Sequence, residues 1–343
     1  MKLITFVLIL ISSISLVLSF SYQGQLLLNI DDSDSYQTSY ISTVLYSKSY
    51  DNNQSHLFDF KWSREFLKNS DLQLKNSDYR LWIKYSFSDF MNIRLGMQKV
   101  SFGVSSILRP LNWFDTIDFR NNSGQTIGVN ALKTHIFPSD NFELCFWAID
   151  DDKISYGSRI ELLNDNGSIG ITYYNDRNDS DHEVFQSIQI IEEQPQLLFP
   201  GTNHRIGIDY RYDGNMGAWF ESSSILSSIK NININRIDMI TFGCDYTIPI
   251  FDGLYLLSET MHSSIVHDDN LVLNQTATAI MGSVPIGIFN EVMLVSILNW
   301  DQSDKYHFLR WSTSFDYFYF NIMASVNPKP LQNNFEIMLI YNY

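Results

Sequence analysis

Cysteine is nearly missing from this chain: Cys145 and Cys244 are the whole complement of 343 residues, with no metal-like spacing between them. That excludes a disulfide-built scaffold and leaves one long-range bridge as the alternative to two small buried or lipid-facing residues. Long apolar runs are also missing, since beyond Leu3 to Leu18 no stretch approaches the roughly 20 residues that a membrane helix needs. If the chain enters a membrane, it does so without helices. No Pro/Gly/Ser-rich linker and no shift in composition divides it, so one continuous architecture is expected in place of two domains. Recognisable chemistry is absent as well: there is no Gly-x-Ser-x-Gly, Gly-rich phosphate loop or His-Glu-x-x-His, and the seven histidines are scattered. No catalytic residue, metal ligand or cofactor is assigned, and no nucleic-acid partner is expected.

Aromatic residues are abundant, at 15% of the chain with 19 Tyr and 24 Phe, against only 18% charged residues. Tyr and Phe favour strands. The alternation is more telling than the composition. In YRLWIKYSF, Tyr79, Leu81, Ile83, Tyr85 and Phe87 share one face against Arg80, Trp82, Lys84 and Ser86; in HRIGIDYRY, Ile206, Ile208, Tyr210 and Tyr212 oppose Arg205, Asp209 and Arg211. YFYFNIMASV sets Phe318, Phe320, Ile322, Ala324 and Val326 against Tyr319, Asn321, Met323 and Ser325. Segments of about ten residues with this period, parted by turn residues, mark a transmembrane β-barrel. A soluble sandwich would carry Lys and Glu on its wet faces, whereas these are rich in Ser, Thr, Asn, Gly and Arg, which predicts a polar lumen.

Connection lengths agree. Asp89-Phe90, Pro138-Ser139-Asp140, Asn166-Gly167, Asp213-Gly214, Asp252-Gly253, Val284-Pro285 and Phe315-Asp316 read as tight turns, alternating with longer, wetter stretches that include loops 101–126 and 175–202. With VFQSIQII, residues 184–191, placed in a loop, the count is an even 18, with 16 as the fallback. The fold class is therefore all-β, a single antiparallel barrel over residues 20–343. Met1-Lys2, the apolar run and Val17-Leu18-Ser19 read as a signal peptide over residues 1–19, cleaved after Ser19 or Ser21. A retained anchor is the alternative.

The chain ends on FEIMLIYNY, with Phe335, Ile337, Leu339, Tyr341 and Tyr343 on every second position. An open sheet in lipid would leave unpaired backbone groups, so a last strand must be complete in order to pair with the first. This segment resembles the C-terminal assembly signal of Gram-negative outer-membrane barrels. The resemblance implies the barrel-assembly machinery and outer-membrane lipid as partners, and a cell outer membrane location. A second stretch, IRLGMQKVSFG at 93–103 followed by LRPLNWFD at 108–115, is similar to one in large porin-like proteins, departing from it at Met97 and Phe102, where the family pattern has Arg and Trp. The homotrimer common among porins comes with that resemblance.

A barrel of this size leaves an aqueous passage. Alternation places Lys61, Arg80, Lys84, Arg94, Arg159, Arg205, Arg211 and Arg310 on the inward faces, with Asp59, Glu161, Asp209, Asp245 and Glu336. Such charges either select ions or pair to stiffen a wet interior. The stretch SFGVSSILRPLNWFDTIDFRNNSGQT, 101–126, is too long and aromatic for a simple loop. It is expected to fold into the lumen, with Arg109, Asp115, Asp118 and Arg120 facing the pore and Ile107, Leu111, Trp113 and Phe114 on the wall; a surface cap is the alternative. The function this predicts is a porin-like channel for passive diffusion of small hydrophilic solutes or ions. Its rivals are a secreted or periplasmic all-β binding or adhesion protein and a plugged barrel serving as receptor or anchor.

Overall fold

The computed structural model describes residues 20–31, 36–49, 57–69, 74–114, 128–178, 181–183, 198–200, 202–227, 234–267, 271–328 and 333–342. The expected signal peptide lies outside them, as do residues 184–191. All the regular elements are strands: β1 (Phe20–Asp31), β2 (Tyr36–Ser49), β3 (Leu57–Asn69), β4 (Leu74–Ser88), β5 (Met91–Gln98), β6 (Val129–Ser139), β7 (Phe142–Ile149), β8 (Ser155–Asn164), β9 (Gly167–Asp176), β10 (Asp181–Glu183), β11 (Leu198–Pro200), β12 (Asn203–Asp213), β13 (Gly217–Ser227), β14 (Ile234–Ile248), β15 (Leu254–His267), β16 (Val272–Ile286), β17 (Asn290–Asn299), β18 (Asp304–Ser314), β19 (Phe318–Val326) and β20 (Asn334–Asn342). Eighteen of them make one sheet, and β10 and β11 form a small separate hairpin. Strand β9 pairs directly with β12, and the described strands of the connection between them, β10 and β11, stand apart from the wall.

The sheet closes on itself. The last strand, β20, pairs antiparallel with β19 on one side and with β1 on the other, from Gln25 opposite Asn342 to Asp31 opposite Glu336. Phe335, Ile337, Leu339 and Tyr341 lie on one face of β20, while Tyr343 is outside the described residues. Closure satisfies the edge hydrogen bonds that an apolar solvent cannot.

Alternation separates two surfaces. One carries exposed Ile206, Ile208, Tyr210, Phe242, Ile280, Leu294, Leu309 and Trp311; the other carries buried Arg205, Asp209, Glu221, Thr241, Glu259 and Val295. Because the segment after β5 rests on the second surface, that surface is the inside. At one end, short turns such as 89–90 and 165–166 join the strands; at the other lie the long connections 99–128 and 177–202. Two turns differ from the sequence reading: Pro138 and Ser139 still belong to β6, and the chain reverses at 140–141. Val284 and Pro285 belong to β16, with Pro285 opposite Glu291 at its very end, and the chain reverses at 287–289, where Gly287 takes φ 65°.

The polar lumen predicted from alternation holds for only part of the wall. From β14 to β20 the inward face is mixed: Met239, Leu257, Met261, Ala277, Ala279, Met293, Val295, Ile297, Phe308, Met323, Met338 and Ile340 are buried there beside buried Thr241, Glu259, Ser263, Asn299, Ser312 and Asn321. The outer face there is mixed too, with Phe242, Ile280 and Leu294 beside Thr260, His262 and Ser296, so periodicity of polarity does not reveal the difference.

Candidate functional site

The site is the infolded segment 99–114 and the inner wall it meets. Two carboxylates hold it. Glu221, at an inward position of β13, accepts the backbone N–H groups of Val104 at 2.8 Å, Ser105 at 2.8 Å and Leu111 at 2.7 Å. Glu259, inward on β15, accepts those of Ser106 at 2.6 Å, Ile107 at 2.9 Å and Leu108 at 2.6 Å, together with the Trp219 indole at 3.2 Å. Both acids are wholly buried. A loop turned through successive backbone N–H groups presents a concave donor surface, and a carboxylate completes it. Thr241 on β14 donates to the Leu108 carbonyl at 3.0 Å, and the Trp113 indole donates to Ser223 at 3.1 Å.

Close approach demands glycine at two points. Gly103 sits at φ +88° with a notional Cβ 2.4 Å from a Glu221 oxygen, and at Gly207 on β12 a Cβ would lie 2.0 Å from Leu111 Cδ2. Aromatic contacts seat the same segment on β7 and β9: Phe102 lies 4.6 Å from Trp147, and Phe114 4.8 Å from Tyr174. The described part of the segment therefore covers the inner wall from β7 round to β15. A surface cap is not what it forms.

Ile107, Leu111, Trp113 and Phe114 lie against the wall as expected. Arg109 does not project as expected; it is buried and turns back to donate to Ser101 at 2.9 Å. Asp115, Asp118 and Arg120 fall outside the described residues.

The charged residues expected on the inner face all take inward register positions, but they divide into two groups. On β8 to β14 they are matched. Arg159 clamps Asp209 through both terminal nitrogens, at 2.6 and 2.9 Å, and reaches Glu161 at 2.9 Å and Thr172 at 2.8 Å. Arg205 pairs with Asp176 at 2.8 Å over the Tyr174 ring. Arg211 bonds Asp213 at 2.7 Å and Asp245 at 3.2 Å, and the Tyr255 hydroxyl shares Asp245. These pairs stiffen the wall that the segment covers. Arg310 lies between Met293 and Met323 in register, with a nitrogen 3.6 Å from the Met293 sulfur. Glu336 lies opposite Met323.

On β3 to β6 cations outnumber acids. Asp59, Lys84, Arg94 and Lys133 are consecutive register partners across four strands, one acid to three bases. Lys84 reaches Asp59 at 3.4 Å. Arg94 stacks 4.3 Å from the Trp82 ring, and Lys133 lies 5.5 Å from Phe102. Lys61 and buried Arg80 extend the patch on β3 and β4. Among the described residues, Lys61, Arg94 and Lys133 have no carboxylate within ion-pair distance. Lys133, Glu221 and Glu259 escaped the reading of the sequence. Their one signal there is a solitary charge at an inward position of an otherwise uncharged strand face, as in AWFESSS and LLSETMH.

Cys145 faces inward on β7 and Cys244 outward on β14, and both are free, so the bridge left open above is not formed. Among the described residues no group of His, Cys, Asp and Glu gathers as a metal site.

A closed antiparallel barrel with an inner loop bonded to its wall defines a porin-like β-barrel fold. Solved structures share it. The chain is similar to OccAB4 of Acinetobacter baumannii, at TM-score 0.60 and 8% identity over 95% of this chain and 98% of that one. OmpT of Vibrio cholerae in trimer form gives 0.58 and 12% over 95% and 99%, and the anion-selective porin from Comamonas acidovorans 0.50 and 13% over 95% and 99%. No family model matches the sequence, and no curated protein matches it. At such identities the likeness is one of fold.

Proposed function

We propose that this chain is an outer-membrane channel for the passive diffusion of small hydrophilic solutes and ions, without a catalytic step or cofactor, and that segment 99–114 narrows its passage. The observation that carries the reading is the infolded segment itself, bonded to Glu221 and Glu259 through six backbone N–H groups. Barrels of this strand number are wide enough for water. Lys61, Arg94 and Lys133, with no carboxylate at ion-pair distance among the described residues, favour anions, a preference that the Comamonas neighbour's description also carries. Arg159, Arg205 and Arg211 contribute little to it, because their charges are matched.

In this reading residues 1–19 export the chain, FEIMLIYNY engages the barrel-assembly machinery, the long connections face outward from the cell, and the barrel assembles as a homotrimer, as the Vibrio neighbour is described. Deleting residues 105–122 and recording single-channel currents in a planar bilayer tests it. A larger conductance is expected, with a reversal potential in a KCl gradient that favours chloride. An unchanged conductance overturns the constriction, and a folded barrel that passes no current overturns the channel.

A further inference from the structure

A barrel wall that meets hydrocarbon on every side carries apolar residues outward at mid-strand, and one sector of this wall does not. From β4 to β12 the outward mid-strand residues include Ile83, Leu95, Phe146, Ile160, Ile171 and Ile208, interrupted singly by Thr134 and Ser158. On β15 and β16 they are Thr260 and Thr278, register partners whose hydroxyls bond at 3.0 Å on the outer surface. The polarity continues across the neighbouring strands. His262 meets Thr276 through Nδ1 at 3.0 Å, and His307 on β18 meets Ser296 on β17 through Nδ1 at 2.9 Å. Ser224 on β13 donates to Asp238 on β14 at 2.7 Å, and Arg236 pairs with the same carboxylate at 2.7 Å. These bonds leave capacity over, since each imidazole keeps its Nε2 and one hydroxyl of the threonine pair still has a hydrogen to donate. Among the described residues nothing bonds either Nε2. Polar groups left in that state against hydrocarbon are unfavourable, so the sector calls for a polar cover.

We propose that this sector of the outer wall, β13 to β18 in the half nearer the long connections, is where copies of this chain meet one another within the membrane. Depth and charge argue against a lipid cover. Thr260 and Thr278 stand at the middle of their strands, too deep for a headgroup. A phosphate-bearing headgroup also calls for free Lys and Arg, whereas the cations described on the sector are Arg236, already paired, and Lys305. Most of the polar groups are neutral hydroxyls and imidazoles, donors and acceptors at once, so the same set on a second copy completes them. Within membranes such side chains hold protein surfaces together. The sector spans six of the eighteen wall strands, the third of the ring that a closed threefold assembly turns towards its axis, each copy meeting two neighbours through different edges of one patch. The inference rests on the outer-membrane reading and assigns the interface of the homotrimer.

The test places a photo-cross-linking residue, p-benzoylphenylalanine, at Ser296 of the full-length chain and irradiates intact cells, with the same residue at Leu95, across the ring, as reference. Adducts of two copies of the chain, identified by mass spectrometry of the joined peptides, are expected from Ser296 and not from Leu95. Adding Thr278→Trp and His262→Trp to the Ser296-labelled chain abolishes the two-copy adduct by bulk, whereas Ile83→Trp with Leu132→Trp, on the apolar sector, leaves it in place. Heat-dependent migration on SDS gels verifies that each chain is a folded barrel. Absence of two-copy adducts from Ser296, whether the label reaches lipid, a different protein or nothing, overturns the proposal, as does an equal yield from Leu95 or an adduct that survives the Trp pair on the polar sector. None of these readouts depends on current. A barrel that cross-links and passes no ions keeps the interface and loses only the channel, and a chain recovered in the soluble fraction of the cells overturns the outer-membrane reading instead.

Discussion

Removing the Glu259 carboxylate should release the infolded segment. Four donors converge on it, three backbone N–H groups between 2.6 and 2.9 Å and the Trp219 indole at 3.2 Å. A hydrogen bond to a charged group contributes about 1.5–3 kcal/mol, so four at the lower figure give about 6 kcal/mol; water reaching the freed donors returns about half, leaving roughly 3 kcal/mol. That shifts the ratio of docked to undocked segment by roughly 100-fold. Glu259→Ala should therefore raise the mean single-channel conductance and add rapid flicker, with new chymotrypsin cleavage after Phe102, which is buried in the parent. Glu259→Gln keeps one acceptor oxygen and should fall between. Heat-dependent migration on SDS gels verifies that each variant is a folded barrel. Folded Glu259→Ala and Glu221→Ala variants with the parent's conductance, noise and chymotrypsin resistance would refute the assignment of these acids as anchors.

Other consequences are independent of those carboxylates. Gly207→Val should displace the same segment through Leu111, whereas Gly282→Val, whose new Cβ meets nothing nearer than 3.5 Å, should leave the current unchanged. Arg159→Ala strands buried Asp209 and should destabilise the barrel by about 3–5 kcal/mol in urea unfolding from vesicles, while Arg159→Met combined with Asp209→Leu recovers most of the loss. Leu309→Arg, at mid-strand on the exposed outer face of β18, should cost about 2–4 kcal/mol in the same assay if that face meets hydrocarbon, and almost nothing if it meets water.

The wall was legible because a period of two is forced wherever two faces meet different solvents. That alone placed Arg80, Arg94, Arg159 and Arg205 on one surface, and the requirement for closure explained the aromatic last strand. What each charge does was not legible. Arg159 and Asp209 are 50 positions apart in sequence, and Glu259 meets the Leu108 amide across 151, so which charges neutralise one another depends on ring closure and not on any local pattern. The apolar inner wall was hidden for a different reason. In NEVMLVSILN, Val292 and Leu294 point out while Met293, Val295 and Ile297 point in, and a strand apolar on both faces carries no alternation to read.

That hidden asymmetry also explains why the infolded segment lies where it does. Its own outward-turned side chains include Ile107, Leu108 and Leu111, and they find apolar partners only on part of the ring. On the β3 to β6 side the same side chains would desolvate Lys61, Lys84 and Arg94 without pairing them, a cost that no aliphatic contact offsets. On the β12 to β15 side Gly207 admits Leu111, Leu257 and Met261 receive Ile107 and Leu108, and Glu221 and Glu259 satisfy the backbone N–H groups that would otherwise be buried without acceptors. The segment is thus drawn to the wall where both its apolar and its polar groups are met.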